Sequence, residues 1–444
     1  NLEIDEGLLN EVTSLVEWPR ALAGGFDSSF LKVPPEVLIS AMKEHQRYFH
    51  LVDSIGSLVP RFITISNIES LDSAQVIAGN ERVIRPRLAD AAFFFERDTR
   101  ISMEKKLTLL ESVVFQAQLG TYAEKSQRIS KLSSFIARKL GLSPATTIRA
   151  GLLCKVDLVS EMVGEFPDLQ GTMGSYYARH DGEAEEVCTA IAEHYRPTQS
   201  GGVLPSTDYA SCVALADKID SLVGIFGIKQ PPTGSRDPFA LRRQSLGVVR
   251  ICIENKLALC LDDCLSEAAS LYDQDFDPAS LSDYIVERLT SYYQEQSISW
   301  DVVEAAIRRS SNAINLLEID DVVRALESFR GEPTAVSIIA ANKRVVNFLK
   351  KADPMELTTT FDSKVATEEA EFELGNALTA LDLSKIKGAA EKLEKLAVLQ
   401  GPVDHFFDKV MVMAEDEKVR KNRLGLLSEL RRQFLEVADF SLLQ

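Results

Sequence analysis

No apolar run in this sequence reaches the roughly 18 residues that a membrane-crossing helix needs. That excludes a transmembrane helix, and no membrane partner is expected. No CxxC pair occurs among the six cysteines, Cys154, Cys188, Cys212, Cys252, Cys260 and Cys264. Most of them fall inside apolar helical patterns, so buried free thiols in a reducing compartment are expected, and Cys260 with Cys264 at i,i+4 is not enough for a metal site. A GxxxxGKS/T loop is missing, as is any Gly-rich strand-to-helix fingerprint, so no recognisable device cradles ATP. No internal repeat and no low-complexity tract is found. Positive charge is in deficit: 49 Lys and Arg stand against 66 Asp and Glu, a net charge of −17. The overall field therefore repels nucleic acid, and any RNA contact must come from local basic clusters, since screening confines attraction to about 8–10 Å.

Hydrophobic content of 45% and charged content of 26% are those of a soluble globular protein, and 444 residues suffice for two or three domains. The opening "NLEIDEGLLNEV" has neither Met nor a signal-like basic start. The expectation is an excerpt or a processed form whose original front is missing. The expected fold is mostly α and multidomain. An α+β front region covers residues 1–100, with a helix starting at Pro35 and a hairpin in "RYFHLVDSIGSLVPRFITISNIE". A helical domain is expected over 101–276, a helical connector over 277–331 and a terminal helical domain over 332–444. Apolar spacing predicts helices over 103–120, 122–141, 144–164, 182–195, 208–226 and 238–257, the last capped by Asp237 with Pro238 at its first position. The terminal domain's first helix should stop before an Asp353-Pro354 breaker.

Three segments, "AGLLCKVDL", "AIAEHYRP" and "LADKID", resemble the HD superfamily of helical metal-dependent phosphohydrolases in order and apolar framing. Where that family places His-Asp, this chain has Cys154-Lys155, which swaps two metal ligands for an ammonium that repels a cation. What remains is His180, Asp181, His194 and Asp217. These read as vestigial positions, with no metal expected. A helix-core role for His194 and a helix-start role for Asp181 are the plain alternatives.

The stretches "VEWPRALAGGFDSSFLKVPPEVLISAMKEHQRYF", "NERVIRPRLADAAFFFERD", "LESVVFQAQLGTYAEK", "ADKIDSLVGIFGI" and "DPFALRRQSLGVVRI" together resemble the β subunit of the bacterial-type glycyl-tRNA synthetase, as does "GPVDHFFDKVMVMAEDEKVRKNRLGLLSEL" near the end. The resemblance runs through the chain in order. It implies a glycine–tRNA ligase that uses ATP and Mg, with activation and transfer on an α subunit or fused α region. This portion would supply tRNA(Gly) contacts within an α2β2 assembly or a fused dimer. The compartment would be a bacterial cytoplasm, or a chloroplast or mitochondrion in a plant. Neither HIGH-like nor KMSKS-like elements are present, so no catalytic residue and no cofactor are expected in this chain. The last hundred residues resemble the DALR-type anticodon-binding helical bundle shared with arginyl-tRNA synthetases. An arginine-type synthetase fragment would explain that part alone, and a working HD-type phosphohydrolase is the enzyme alternative.

RNA contact is expected first on "KVRKNRLGLLSELRRQFLEVA". There, over the fifteen residues 418–432, Lys418, Arg420, Lys421, Arg423, Arg431 and Arg432 meet a single acid, Glu429, while Val419, Leu426, Leu427, Leu430, Phe434 and Val437 form the apolar stripe. The alternative is a solvated face paired with acids. Arg82, Arg85 and Arg87, and Arg242 with Arg243, are candidates for the acceptor arm or for a protein interface. Lys105-Lys106 and Arg308-Arg309 read as solvated faces. In "PVDHFFDKVMVM", Val403, Phe406, Phe407, Val410 and Met411 or Met413 are expected in a core.

Overall fold

The computed structural model describes residues 5–273, 277–309, 313–352 and 360–444. Two compact units divide the chain, residues 1–220 and 221–444.

The first unit opens with a three-stranded antiparallel sheet in the order β1-β3-β2, where β1 is Arg20–Gly25, β2 Phe49–Val52 and β3 Leu58–Ser66. The predicted hairpin is β2–β3. Its turn is held by Asp53, whose carboxylate accepts from the amides of Ile55 and Ser57 at 2.9 Å, and by Gly56 at φ 84°. The predicted helix is Pro35–Gln46. Strand β1 was not legible because Ala and Gly carry little strand preference. Its place is fixed from outside: a Cβ on Gly24 would lie 2.5 Å from the Phe62 ring, which itself stacks on Tyr48 at 4.5 Å.

A long helix, Ser73–Thr99, follows. Its buried Asp98 accepts from Lys106 Nζ, from the amides of Glu161 and Met162, and from the Tyr177 hydroxyl. Lys106 is therefore internal, contrary to the expected solvated pair with Lys105. The predicted helix over 103–120 is not one helix. A short turn Met103–Lys106 leads through a 3-10 segment, Leu107–Ser112, to two paired strands, Val114–Gln116 and Gly120–Thr121. Val113, Val114 and Phe115 favour extended backbone, and Gly120 at φ 86° makes the bend. Thr121 and Glu124 then form a reciprocal capping box that starts Tyr122–Lys139.

Pro144–Leu153 packs on that helix so closely that a Cβ on Gly151 would stand 2.6 Å from the Ser130 Cα. The predicted continuation to 164 breaks at Cys154, because Asp157 turns inward to accept the amides of Gly171 and Gly174. Thr172–His180 and Glu185–Glu193 form the next pair, and Asp208–Gly227 matches its prediction.

In the second unit the predicted start at Pro238 shifts to Leu241–Glu254. Ala240 is left-handed at φ 53°, and Asp237 caps across the bend by accepting from the amides of Leu241 and Arg242. Helices Leu261–Ser270, Pro278–Gln294, Trp300–Ile307 and Leu316–Phe329 come next, then Pro333–Lys351. The Asp353-Pro354 breaker lies outside the described residues. Glu369–Ala380, Ala389–Ala397, Gln400–Lys409 and Glu417–Leu435 complete the bundle. After Lys409 the chain is extended, so Val410 and Val412 are buried while Met411 and Met413 point out; the expected helical spacing fails there. Five of the six cysteines are buried, Cys260 being partly exposed, and burial pushes the Cys154 thiol up to about 12.

A methyl group at position 151 has only main chain to press against. Gly151→Ala should therefore destabilise the 1–220 unit by about 1–3 kcal/mol, measured as a lower urea midpoint. Gly164→Ala, where nothing lies within 4 Å of an added Cβ, should leave that midpoint within about 0.5 kcal/mol.

Candidate functional site

The HD-like segments meet in a buried ion cluster. Helix Asp208–Gly227 carries Asp217 and Asp220 one turn apart, and helix Tyr122–Lys139 faces it with Lys125 and Arg128. Lys155 arrives from the break after Pro144–Leu153. Its ammonium lies 2.9 Å from Asp217 Oδ2, while Lys125 Nζ lies 3.1 Å from Asp217 Oδ1 and 3.0 Å from Asp220 Oδ2. Arg128 Nε donates to Asp220 Oδ1 at 2.7 Å. Lys125, Lys155 and Asp220 are each less than 3% exposed. Burial alone would raise the Asp217 carboxyl, but Lys155 and Lys125 overcome it and hold the group well below the usual carboxylate range.

His194 is fully buried beside this cluster. Its Nδ1 lies 2.6 Å from the Ile191 carbonyl and so donates to it, which leaves Nε2 an acceptor without a hydrogen-bond partner among the described residues. Burial, then the Lys155 charge, push the imidazole well below its ordinary pKa. The Lys155 ammonium also sits 3.8 Å above the Tyr195 ring.

The four vestigial positions are split. His194 and Asp217 belong to the core, whereas His180 is exposed at the end of its helix and Asp181 accepts from the Met103 amide at 2.6 Å. Both oxygens of Asp217 already face ammonium groups, so a divalent cation placed there would meet two like charges. Among the described residues, no group of three His, Cys, Asp or Glu side chains could hold a metal ion. The phosphohydrolase alternative is not supported.

The basic helix Glu417–Leu435 differs from its sequence impression. Arg423 is buried, donating from Nε and Nη2 to Glu371 Oε1 and from Nη1 to the Met411 carbonyl. Arg431 binds Asp439 at 2.6 Å and Asn342 at 3.2 Å; Arg432 spans Glu429 and Glu436; Lys421 pairs with Glu417 at 2.5 Å. Arg420 Nη1 closes on the Ala414 carbonyl, and Lys418 is exposed. One sequence neighbour of each cation looked neutral or apolar, but the acids arrive from i±3, i±4 and other helices. Arg82, Arg85 and Arg87 are exposed on Ser73–Thr99, with Arg87 3.8 Å from Glu165. Arg242 is tied to the Gly234 carbonyl; Arg243 is exposed. Sequence reasoning passed over the cations of Pro333–Lys351, whose signal was the lack of any acid among them.

Comparison with known proteins supplies a family. A model for the glycyl-tRNA synthetase beta subunit matches residues 1–308, and one for the DALR anticodon binding domain matches residues 338–439. The glycine–tRNA ligase beta subunit of Colwellia psychrerythraea is 48% identical over 450 residues, which cover 99% of this chain and 65% of the relative. That of Shewanella halifaxensis is 48% identical over 451 residues, with 100% and 65% covered, and that of Coxiella burnetii 47% over 449, with 99% and 65%. The chain thus spans about 65% of the length of these curated relatives.

Two measurements test the buried cluster. Lys155→Met should cost about 3–5 kcal/mol in urea unfolding by stranding part of the Asp217 charge, and Lys155→Met with Asp217→Asn should cost less than the sum of the two single changes. A histidine held below its ordinary pKa stabilises the fold above the unfolded value, near 6.5, and that stability is lost as pH falls. Unfolding midpoints should therefore drop from about pH 7 to about pH 5.5, and the drop should shrink in His194→Gln.

Proposed function

Because the chain belongs to the glycyl-tRNA synthetase beta subunit family, we propose that it is the tRNA-holding, non-catalytic portion of a glycine–tRNA ligase. It positions tRNA(Gly) while ATP- and Mg-dependent activation of glycine and its transfer proceed on an α subunit or a fused α region. The observation that carries this reading is the order of the two matched regions. A beta-subunit match over 1–308 is followed by an anticodon-binding match over 338–439 that falls on the terminal helical bundle. The 101–276 segment keeps an HD-like framework as scaffold, with its charges turned to internal pairing. The partners are tRNA(Gly) and the α chain, in an α2β2 assembly or a fused dimer. The compartment is one where glycine is loaded onto tRNA: the bacterial cytoplasm or, for an organellar counterpart, a chloroplast or mitochondrion.

The accessible candidates for phosphate contact are Lys418, Arg82, Arg85, Arg87 and Arg243, with Arg420, Lys421 and Arg432 reachable only at the expense of their present partners. Arg423 serves the core of the bundle instead, and Arg242 and Arg431 serve as internal ties.

Purified chain alone should bind tRNA(Gly) with an affinity that falls as salt rises, by a slope of about 0.7–0.9 per phosphate neutralised, and should give no glycine-dependent ATP–pyrophosphate exchange. Aminoacylation should appear when the α partner is added. Exchange by the chain alone, or no tRNA retention at low salt with α present, would overturn the reading.

A further inference from the structure

The terminal bundle has a helix that carries four cations and no acid of its own. Pro333–Lys351 contains Lys343, Arg344, Lys350 and Lys351 and no Asp or Glu, in a chain of net charge −17. All four side chains are exposed, and among the described residues none of them takes part in an ion pair or hydrogen bond. At 100° per residue, Lys343, Asn347 and Lys350 lie within about 60° of one another and Arg344 and Lys351 beside them. The opposite side is the buried one, with Ala335, Ile338, Ala341, Asn342 and Val345 facing inward.

Two ties hold this helix in register: Ser337 Oγ donates to Asp404 at 3.0 Å, and Asn342 accepts from Arg431. At the edge of the cationic side, Phe407 and Phe348 are both half-buried and stack at 6.0 Å with 16° between their planes. The Arg344 guanidinium lies 5.8 Å from the Phe407 ring centre. On the helix that carries Phe407, Asp404 is occupied by Ser337, and exposed Asp408 is matched by exposed Lys409.

On the reading that this chain holds tRNA, we infer that the RNA-contacting side of the terminal bundle is the exposed side of Pro333–Lys351, with Lys343, Arg344, Lys350 and Lys351 gripping the backbone of an unpaired RNA loop and the Phe407–Phe348 pair offering a ring on which a base stacks. Positive charge free of acids supplies affinity for phosphate, and an aromatic face beside arginine accepts any base. A protein partner fits less well. Lysine is depleted from protein interfaces, and the apolar side chains on this exposed side, Pro333, Val336 and Ala340 with half-buried Ile339 at its border, are outnumbered at its centre by charged and polar ones. Helix Glu417–Leu435, richer in cations by count, has most of them neutralised within the fold.

The test uses the full chain with two RNA probes, the isolated anticodon stem–loop of a glycine tRNA and its acceptor minihelix, titrated over a salt series. K343Q/R344Q/K350Q/K351Q should bind the stem–loop at least about 10-fold more weakly, with a salt slope shallower by about 2–3, and bind the minihelix unchanged. Phe407→Leu, which keeps an apolar group on Phe348, should lose about five-fold or more on the stem–loop without altering the slope. K421Q/R432Q should change binding less than two-fold. The pair K343Q/K350Q, checked by circular dichroism, covers the case in which the quadruple variant misfolds. Unchanged stem–loop affinity and slope in a folded quadruple variant would overturn the inference and leave tRNA holding intact. Retained RNA binding with loss of the α partner would also overturn it, by making this side a protein contact. If the unaltered chain binds neither RNA with α present, the functional reading itself fails.

Discussion

Asp217 and Asp220 sit one helical turn apart in a region closed to water, and two carboxylates so placed can remain ionised only if cations are buried with them. The chain meets this demand with Lys125, Arg128 and Lys155, drawn from two other segments of the 1–220 unit. The cost of desolvating these charges is recovered only in one geometry, so the cluster fixes how the helices Tyr122–Lys139, Pro144–Leu153 and Asp208–Gly227 come together. Lys155 is the component that changes the chemistry. An ammonium delivered by the chain itself occupies one side of Asp217, where a divalent cation would meet a like charge, and the result is a charge-balanced core.

Where sequence patterns were local, the fold was legible. The β2–β3 hairpin announced itself through its turn residues, Tyr122–Lys139 through apolar spacing that stops at Gly141, and Asp208–Gly227 through an unbroken apolar pattern. Failures came where a distant group decided the backbone. The break at Cys154 exists because Asp157 reaches the amides of Gly171 and Gly174, and β1 exists because Phe62 needs Gly24 beneath it. Neither cause is visible within a window of ten residues. Cys154-Lys155 was readable as a departure from the HD pattern, but the destination of the lysine, Asp217, was not.

The candidate RNA surface shows the same limit in charge rather than conformation. Counting cations along Glu417–Leu435 suggested a free basic side, yet Arg423 reaches Glu371 on a helix some fifty positions earlier, Arg431 finds Asp439 just past the helix end, and Arg432 finds Glu429 and Glu436. In an acidic protein, attraction for a polyanion depends on uncommitted positive charge. In Pro333–Lys351 the lack of any acid on the same helix was the readable sign, and it weighs more than the number of lysines and arginines.

The cysteines carry a practical corollary. Three lie in each compact unit: Cys154, Cys188 and Cys212 in one, Cys252, Cys260 and Cys264 in the other, nearly all sealed from solvent and, where burial acts, kept as thiols rather than thiolates. Apart from partly exposed Cys260, the thiols of the folded protein are shielded from alkylating agents and mild oxidants. Labelling at a buried thiol then counts openings of the half that contains it, so the two halves carry separate built-in clocks for their own breathing.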